Sequence, residues 1–277
     1  MEYEVLAPVG NIDDLTLMLD EGADAVYVGL KGVSSRPSNA DLTLEEISTA
    51  IKKCHNYKKK IYIAINVKIG QRQCDDLLKK IEYLDEMNAD AIILSDLGII
   101  YALNGKLKNS KIHVSTLAGV YNSSTIKVLE AMGVTRIIFC ANLKFEEMAQ
   151  IISAVPNMEY EVVAEGGTCF NDICLCNIPH GVIGEEQIFY CREKYELYDE
   201  NICIGSAKSI CELATKTDDI IPLFMAIGVK SYKIEGRTVR GKQRVQMIRN
   251  LKRSIENYKD YKGLTAYLHY FAKGFWR

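Results

Sequence analysis

GADAVYVGLKG (22–32) and NADAIILSDLG (88–98) are one phrase written twice. Each leads from a small residue into a short run of Val, Ile, Ala and Leu and exits toward a glycine. The apolar stretches are continuous rather than alternating, which suits strands buried on both faces. Working outward, the same kind of run recurs as EVLAP (4–8), KIYIAINV (60–67), KIHVST (111–116), TRIIFCAN (135–142), YEVVAEG (160–166) and SYKIEG (231–236). With DAVYVGL (24–30) and DAIILSD (90–96) these make eight candidate strands.

Helical patterns fill the intervals. Asn11 is placed to cap a helix reaching Leu19, and Thr43-Leu44-Glu45-Glu46 reads as a capping box opening a helix toward Tyr57. Further amphipathic stretches cover 71–87, 123–132, 145–155 and 239–258. Gly22, Gly133 and Gly228 stand where helices must stop and turn into the next strand. Eight strands, each followed by a helix, predict an α/β fold of the (β/α)8 TIM-like barrel type rather than an open doubly wound sheet. The barrel is expected over 1–262, with a cysteine-rich insertion at 167–230 between strands seven and eight, and a tail at 263–277.

The 277 residues are 48% hydrophobic with a net charge of −2, so a full core forms and no general pull toward nucleic acid or anionic lipid exists. MEYEVLAPVG (1–10) lacks a basic region followed by an apolar run, and no apolar stretch reaches bilayer length, so a cytoplasmic protein is expected. The basic stretch Lys230 to Arg253 reads as a solvated helix face ahead of a phosphate contact.

Barrel enzymes work at the C-terminal ends of their strands. Here those ends carry Asn66, Asp96, Ser115, Thr116, Asn142, Glu165, Glu235 and Arg237, polar residues closing apolar runs.

Nine cysteines, an odd number, argue against a disulfide framework. Cys54, Cys74 and Cys140 sit in core-like patterns. The others concentrate in or beside the insertion, spaced Cys169-x6-Cys176-x14-Cys191-x19-Cys211, with Cys174 and Cys203 to spare. Zinc ribbons favour two tight pairs, whereas this loose spacing leans toward an iron–sulfur cluster, with zinc and uninvolved thiols as the alternatives. His180 is the one histidine nearby, and its place in a Pro-His-Gly turn argues for a solvated loop residue rather than the base of a cysteine nucleophile.

KIEGR (233–237), preceded by Gly228-Val229-Lys230-Ser231, resembles the late-barrel hallmark of the collagenase-like peptidase family U32, which includes UbiU/UbiV-like iron–sulfur proteins. AVYVGLKG, DLTLEEI, KIYIAINV, DLGII, KIHVST, GVTRIIF and NLKFEEM follow in that family's order, from Leu6 to about Arg249. Its site signature is matched by Glu161, Gly166, Cys169 and Cys176, then by Cys191-Arg192 with Tyr195, then by the stretch from Ser206 to Cys211. The resemblance implies that Cys169, Cys176, Cys191 and Cys211 ligate one 4Fe-4S cluster, with Cys174 and Cys203 as bystanders. It also implies an oxygen-independent hydroxylase with prephenate as oxygen donor, and a small-molecule substrate is expected. Protease motifs such as HExxH and GxSxG are missing from the chain.

At the end of strand eight, Glu235 is expected to act as a general base or to orient Arg237, and Arg237 to anchor a substrate carboxylate. The plain alternative is a salt bridge between the two. Glu165 joins the catalytic set, and Arg36, Asn66, Ser115, Asn142 and Tyr232 are expected to bind substrate. Several positions depart from the family: Glu165 replaces a usual His, Leu117 a Gln, Asn142 an Arg and Cys174 a Gly. The changes at Glu165 and Asn142 remove positive charge and suit a different substrate, and with Leu117 they also suit a cluster-bearing subunit that works in a heterodimer with a homologous chain. A homodimer, an RNA base hydroxylase and a true peptidase are the other readings.

Overall fold

A computed structural model describes residues 3–35, 40–67, 69–166, 195–207, 221–236 and 241–258. In chain order the elements are β1 (Glu4–Pro8), α1 (Ile12–Asp20), β2 (Ala25–Leu30), β3 (Asp41–Leu42), α2 (Leu44–Asn56), β4 (Lys60–Ile65), α3 (Cys74–Glu86), β5 (Ala91–Leu94), α4 (Leu97–Leu103), β6 (Lys111–Val114), α5 (Ser123–Ala131), β7 (Val134–Ile138), α6 (Phe145–Ala154), β8 (Glu159–Glu165), β9 (Tyr195–Asp199), β10 (Ile202–Ala207), α7 (Ile221–Ile227), β11 (Ser231–Ile234) and α8 (Lys242–Tyr258). Strands β1, β2, β4, β5, β6, β7, β8 and β11 pair in that order, all parallel, and β11 returns to β1. The sheet therefore closes into the expected (β/α)8 barrel. Closure leaves no barrel edge strand to be protected from aggregation. The two-residue β3 adds to the end of β2, and β9 and β10 form a separate antiparallel hairpin within the predicted insertion.

Alternation along each strand sorts side chains into two layers. One set packs outward against the helices, including Val5, Val26, Val28, Ile61, Ile63, Ile92, Val114, Ile137 and Tyr160. The other fills the lumen and is smaller: Leu6, Ala25, Tyr27, Tyr62, Ala64, Ala91, Ile93 and Ile138. The rest of the lumen is polar. Arg136 Nη1 bonds Glu4 Oε1 at 2.6 Å, Glu161 Oε2 at 3.1 Å and Ser231 Oγ at 3.1 Å. Tyr62 donates to Glu4 Oε2 at 2.6 Å, and Lys233 Nζ stands 3.4 Å from Glu161 Oε1. Two buried cations thus meet two buried carboxylates, the condition under which charges tolerate removal from water.

Local signals decide the helix starts. Asn11 caps α1 by accepting from Asp14 N, and Thr43 with Glu46 forms the full capping box of α2. Gly22, Gly133 and Gly228 all adopt positive φ at helix exits. The stretch 71–87 divides into a 3₁₀ turn at Gln71–Gln73 and then α3, and the last helix begins at Lys242 rather than 239. Helices α4 and α7 were not foreseen, because seven residues span too few turns to show an apolar face. Arg244 corrects the reading of the basic stretch as wholly solvated. It is fully buried, with Nη1 2.9 Å from Asp14 Oδ2, tying α8 to α1. Cys54 and Cys140 are buried as expected, and burial pushes the Cys54 thiol up to about 12. Cys74 is half-buried. Among the described residues, no helix is long and apolar enough to cross a membrane.

Candidate active site at the barrel mouth

The C-terminal ends of the strands converge as expected, and the lumen alternation selects which residues face the opening. Lys233 and Glu235 share a face as β11 runs out, whereas on β8 the register shifts between Val163 and Glu165, so strict alternation does not carry from Glu161 to Glu165. Glu165 is buried and Glu235 half-buried. The two strands stay joined to their ends, where Glu235 N donates to Glu165 O at 2.8 Å. Gly166 follows at φ +105°, and a side chain there would collide with the Glu235 carbonyl. Only glycine lets the two chain ends approach so closely.

Beneath Glu235 lies Tyr27 of β2, 2% exposed. Its hydroxyl is 3.0 Å from the Ile234 carbonyl and 3.3 Å from Glu235 Oε2. The Lys233 ammonium sits 4.1 Å from the centre of the Tyr27 ring. Across the mouth, Asn66 Oδ1 accepts from Ser35 N at 3.0 Å, and Asn66 Nδ2 lies 3.5 Å from Ser115 Oγ. Ser115 Oγ also caps the next turn by accepting from Leu117 N, and buried Ser95 donates to the Val67 carbonyl at 3.2 Å. Asp96 caps α4 through Gly98 N and Ile99 N.

The electrostatics harden from mouth to floor. Burial pushes the Glu4 carboxyl up, but the Arg136 charge and hydrogen bond outweigh it and hold Glu4 below the usual range. Burial likewise works against the Arg136 charge, and Glu161 and Glu4 reverse that, so its pKa is raised. Tyr62 is raised by burial and by Glu4. His113, fully buried beside the Tyr62 ring at 4.8 Å, is held well below its ordinary value by burial and then by Arg136. These residues form a charged floor, in which the carboxylates face Arg136 and Lys233 while His113 Nδ1 has no hydrogen-bond partner among the described residues, under a mouth of carboxylates, hydroxyls and an amide.

The predicted site residues divide accordingly. Glu165, Glu235, Asn66 and Ser115 lie at the strand ends together. Asn142 is exposed beyond β7, where its Oδ1 accepts from Tyr121 at 3.2 Å. Tyr232 does not share the mouth. It is buried in the outer layer, its hydroxyl bonds the Val229 carbonyl at 3.2 Å, and its ring meets Tyr3. Its neighbours in sequence alternate inward, so Tyr232 must point out. Arg36 and Arg237 lie outside the described residues, as do Cys169, Cys174, Cys176, Cys191 and Cys211. Cys203 is exposed on β10. Among the described residues, no three His, Cys, Asp or Glu side chains gather as a metal site. Sequence reading overlooked Tyr27, Ser95 and Lys233; counting inward positions back from each strand end would have found all three.

Known proteins bear on this architecture. The tRNA hydroxylation protein P of Escherichia coli strain K12 is 32% identical over 166 residues, covering 60% of this chain and 37% of that protein. The Helicobacter pylori protein of the same name (strain 26695) is 28% identical over 93% of this chain and 65% of its own length. The chain thus spans between about a third and two thirds of the curated relatives it matches. The solved structure of the U32 peptidase Mk0906 superposes with a TM-score of 0.52 at 15% identity, covering 61% of this chain and 70% of that one, and supports the fold. The model of peptidase family U32 matches residues 10–272, so the chain belongs to that family.

Proposed function

We propose that the protein is a hydroxylase-type enzyme whose substrate enters the C-terminal mouth of the barrel. The observation that carries this reading is the pairing of Glu165 and Glu235 at adjoining strand ends, with Tyr27 bonded to Glu235 from below. A carboxylate held this way suits proton transfer at the substrate. Asn66 and Ser115 supply neutral hydrogen-bonding groups opposite, suited to the edge of a heterocyclic or phenolic ring. The relatives named for tRNA hydroxylation favour an RNA base over the free small molecule expected from sequence.

The proposal includes a 4Fe-4S cluster on Cys169, Cys176, Cys191 and Cys211. Its support is the loose four-cysteine spacing and the family membership. In sequence, Cys169 stands three residues after Gly166. Such a cluster supplies redox or Lewis-acid capacity. Prephenate as oxygen donor, and a homologous partner chain, belong to the same proposal. Glu235 would take the proton released as oxygen is added, and Arg237 would hold an acidic group of donor or substrate.

The test is anaerobic purification followed by iron and sulfide analysis, then incubation with unmodified tRNA and prephenate under strict exclusion of oxygen. A nucleoside heavier by one oxygen atom is expected from RNA digests. Iron-free protein that hydroxylates tRNA equally well would remove the cluster from the proposal. Holo protein that leaves RNA unchanged and oxidises a free aromatic acid would return the substrate to the small-molecule class.

A further inference from the structure

Tyr27 has one phenolic proton and two acceptors set for it, the Ile234 carbonyl at 3.0 Å and Glu235 Oε2 at 3.3 Å. One proton serves one of them well at a time, while the phenol oxygen can itself accept. We infer that Tyr27 is a positioning residue that holds Glu235 at the mouth in both of its protonation states. With Glu235 ionised, Tyr27 donates to the carboxylate. With Glu235 protonated, the carboxyl donates to the phenol oxygen and Tyr27 turns its own proton to Ile234. The phenolic hydrogen rotates, the carboxyl carries the proton it has gained, and no heavy atom has to move.

The surroundings fit that role. The ring is 2% exposed and is clamped from one face by the Lys233 ammonium at 4.1 Å. A cation on that face draws electron density from the ring and strengthens the hydroxyl as a donor. Lys233 is in turn fixed by Glu161 Oε1 at 3.4 Å, itself fully buried. Among the described residues, the charged groups on the elements beside Glu235 include Lys233 on its own strand and Glu165 at the end of β8, and β2 contributes the Tyr27 phenol. An arginine in place of Tyr27 would favour the ionised carboxylate alone, and a backbone carbonyl the protonated form alone. A phenol with a second acceptor matches both, which an acid–base residue needs over a full cycle.

The inference rests on Glu235 being the acid–base group of the proposed function, but its test needs no substrate. Infrared difference spectra of the full chain, acid minus neutral, are recorded for the wild type, Glu235→Gln and Tyr27→Phe. The Glu235→Gln comparison isolates the protonated Glu235 carbonyl band. In Tyr27→Phe that band is expected to shift to higher frequency, because the carboxyl loses the phenol oxygen as an acceptor. Near-ultraviolet circular dichroism confirms that the variant is folded. Should Tyr27→Phe not fold, deuteration of the wild type decides the point, since a hydrogen-bonded and a free carboxyl shift differently. An unmoved band, a free-carboxyl band in the wild type, or no Glu235 band before acid unfolding would each overturn the inference. A purely structural Tyr27, serving only Ile234, leaves the band in place. Holo protein that hydroxylates neither RNA nor a free aromatic acid would sink the proposed function without touching this result.

Discussion

Arg136 Nη1 lies 2.6 Å from Glu4 Oε1, joining β7 to β1 through the lumen of the barrel although the two strands are not neighbours. The same nitrogen reaches Glu161 and Ser231, so one guanidinium ties together four strands from inside. A floor of this kind is rigid because every member has an opposite charge or a hydroxyl to meet.

Removing the guanidinium should therefore be severe. Arg136→Leu leaves Glu4 and Glu161 buried with reduced compensation, and a loss of about 3–5 kcal/mol is expected. Urea unfolding of the two proteins at neutral pH measures it. A change of under about 1 kcal/mol would show that water, not Arg136, satisfies the carboxylates.

Gly166→Ala should damage the mouth more than the core. The positive φ disfavours alanine, and its side chain would meet the Glu235 carbonyl. A destabilisation above about 1 kcal/mol is expected, together with loss of product formation out of proportion to the fraction unfolded. Comparing activity per folded molecule separates the two effects.

Acid should weaken the protein in two stages. His113 is held well below its ordinary 6.5 in the folded chain, so the unfolded chain takes up a proton first as pH falls. Its contribution is present above about 6.5 and is lost below that value. Glu4, held below its ordinary 4.5, adds a second loss in the more acid range. Denaturation midpoints measured from pH 8 to pH 4 should decline below pH 6.5, and His113→Phe should flatten the upper part of that decline.

Catalysis should depend on Glu235 as a proton carrier. Glu235→Gln is expected to lower turnover by about 100-fold or more with little change in substrate affinity, and Glu235→Asp by less. Equal losses from Glu235→Gln and Asn66→Ala would argue instead for a mouth that only binds.

Each of Cys169→Ser, Cys176→Ser, Cys191→Ser and Cys211→Ser should cut the iron content of anaerobically prepared protein, whereas Cys203→Ser and Cys174→Ser should not. Iron equally retained in all six variants would contradict the four-thiolate assignment.

Much of this molecule was legible as sequence. Uninterrupted Val- and Ile-rich runs at regular intervals can be buried on both faces in only a few architectures, so the strands, their parallel order and the capped helices α1 and α2 followed directly. So did the presence of polar residues at the strand ends, although Glu165, which closes YEVVAEG, is buried. What the tertiary structure decided was which of those residues meet. Tyr232 and Lys233 are adjacent and look equally eligible, yet strand alternation sends the phenol into the helix layer and the amine under Tyr27. Arg244 looked like one more solvated cation until the approach of α8 to α1 buried it against Asp14. Local patterns report how each segment must fold; which distant side chains then share a space depends on barrel closure, and that is set by all eight strands at once.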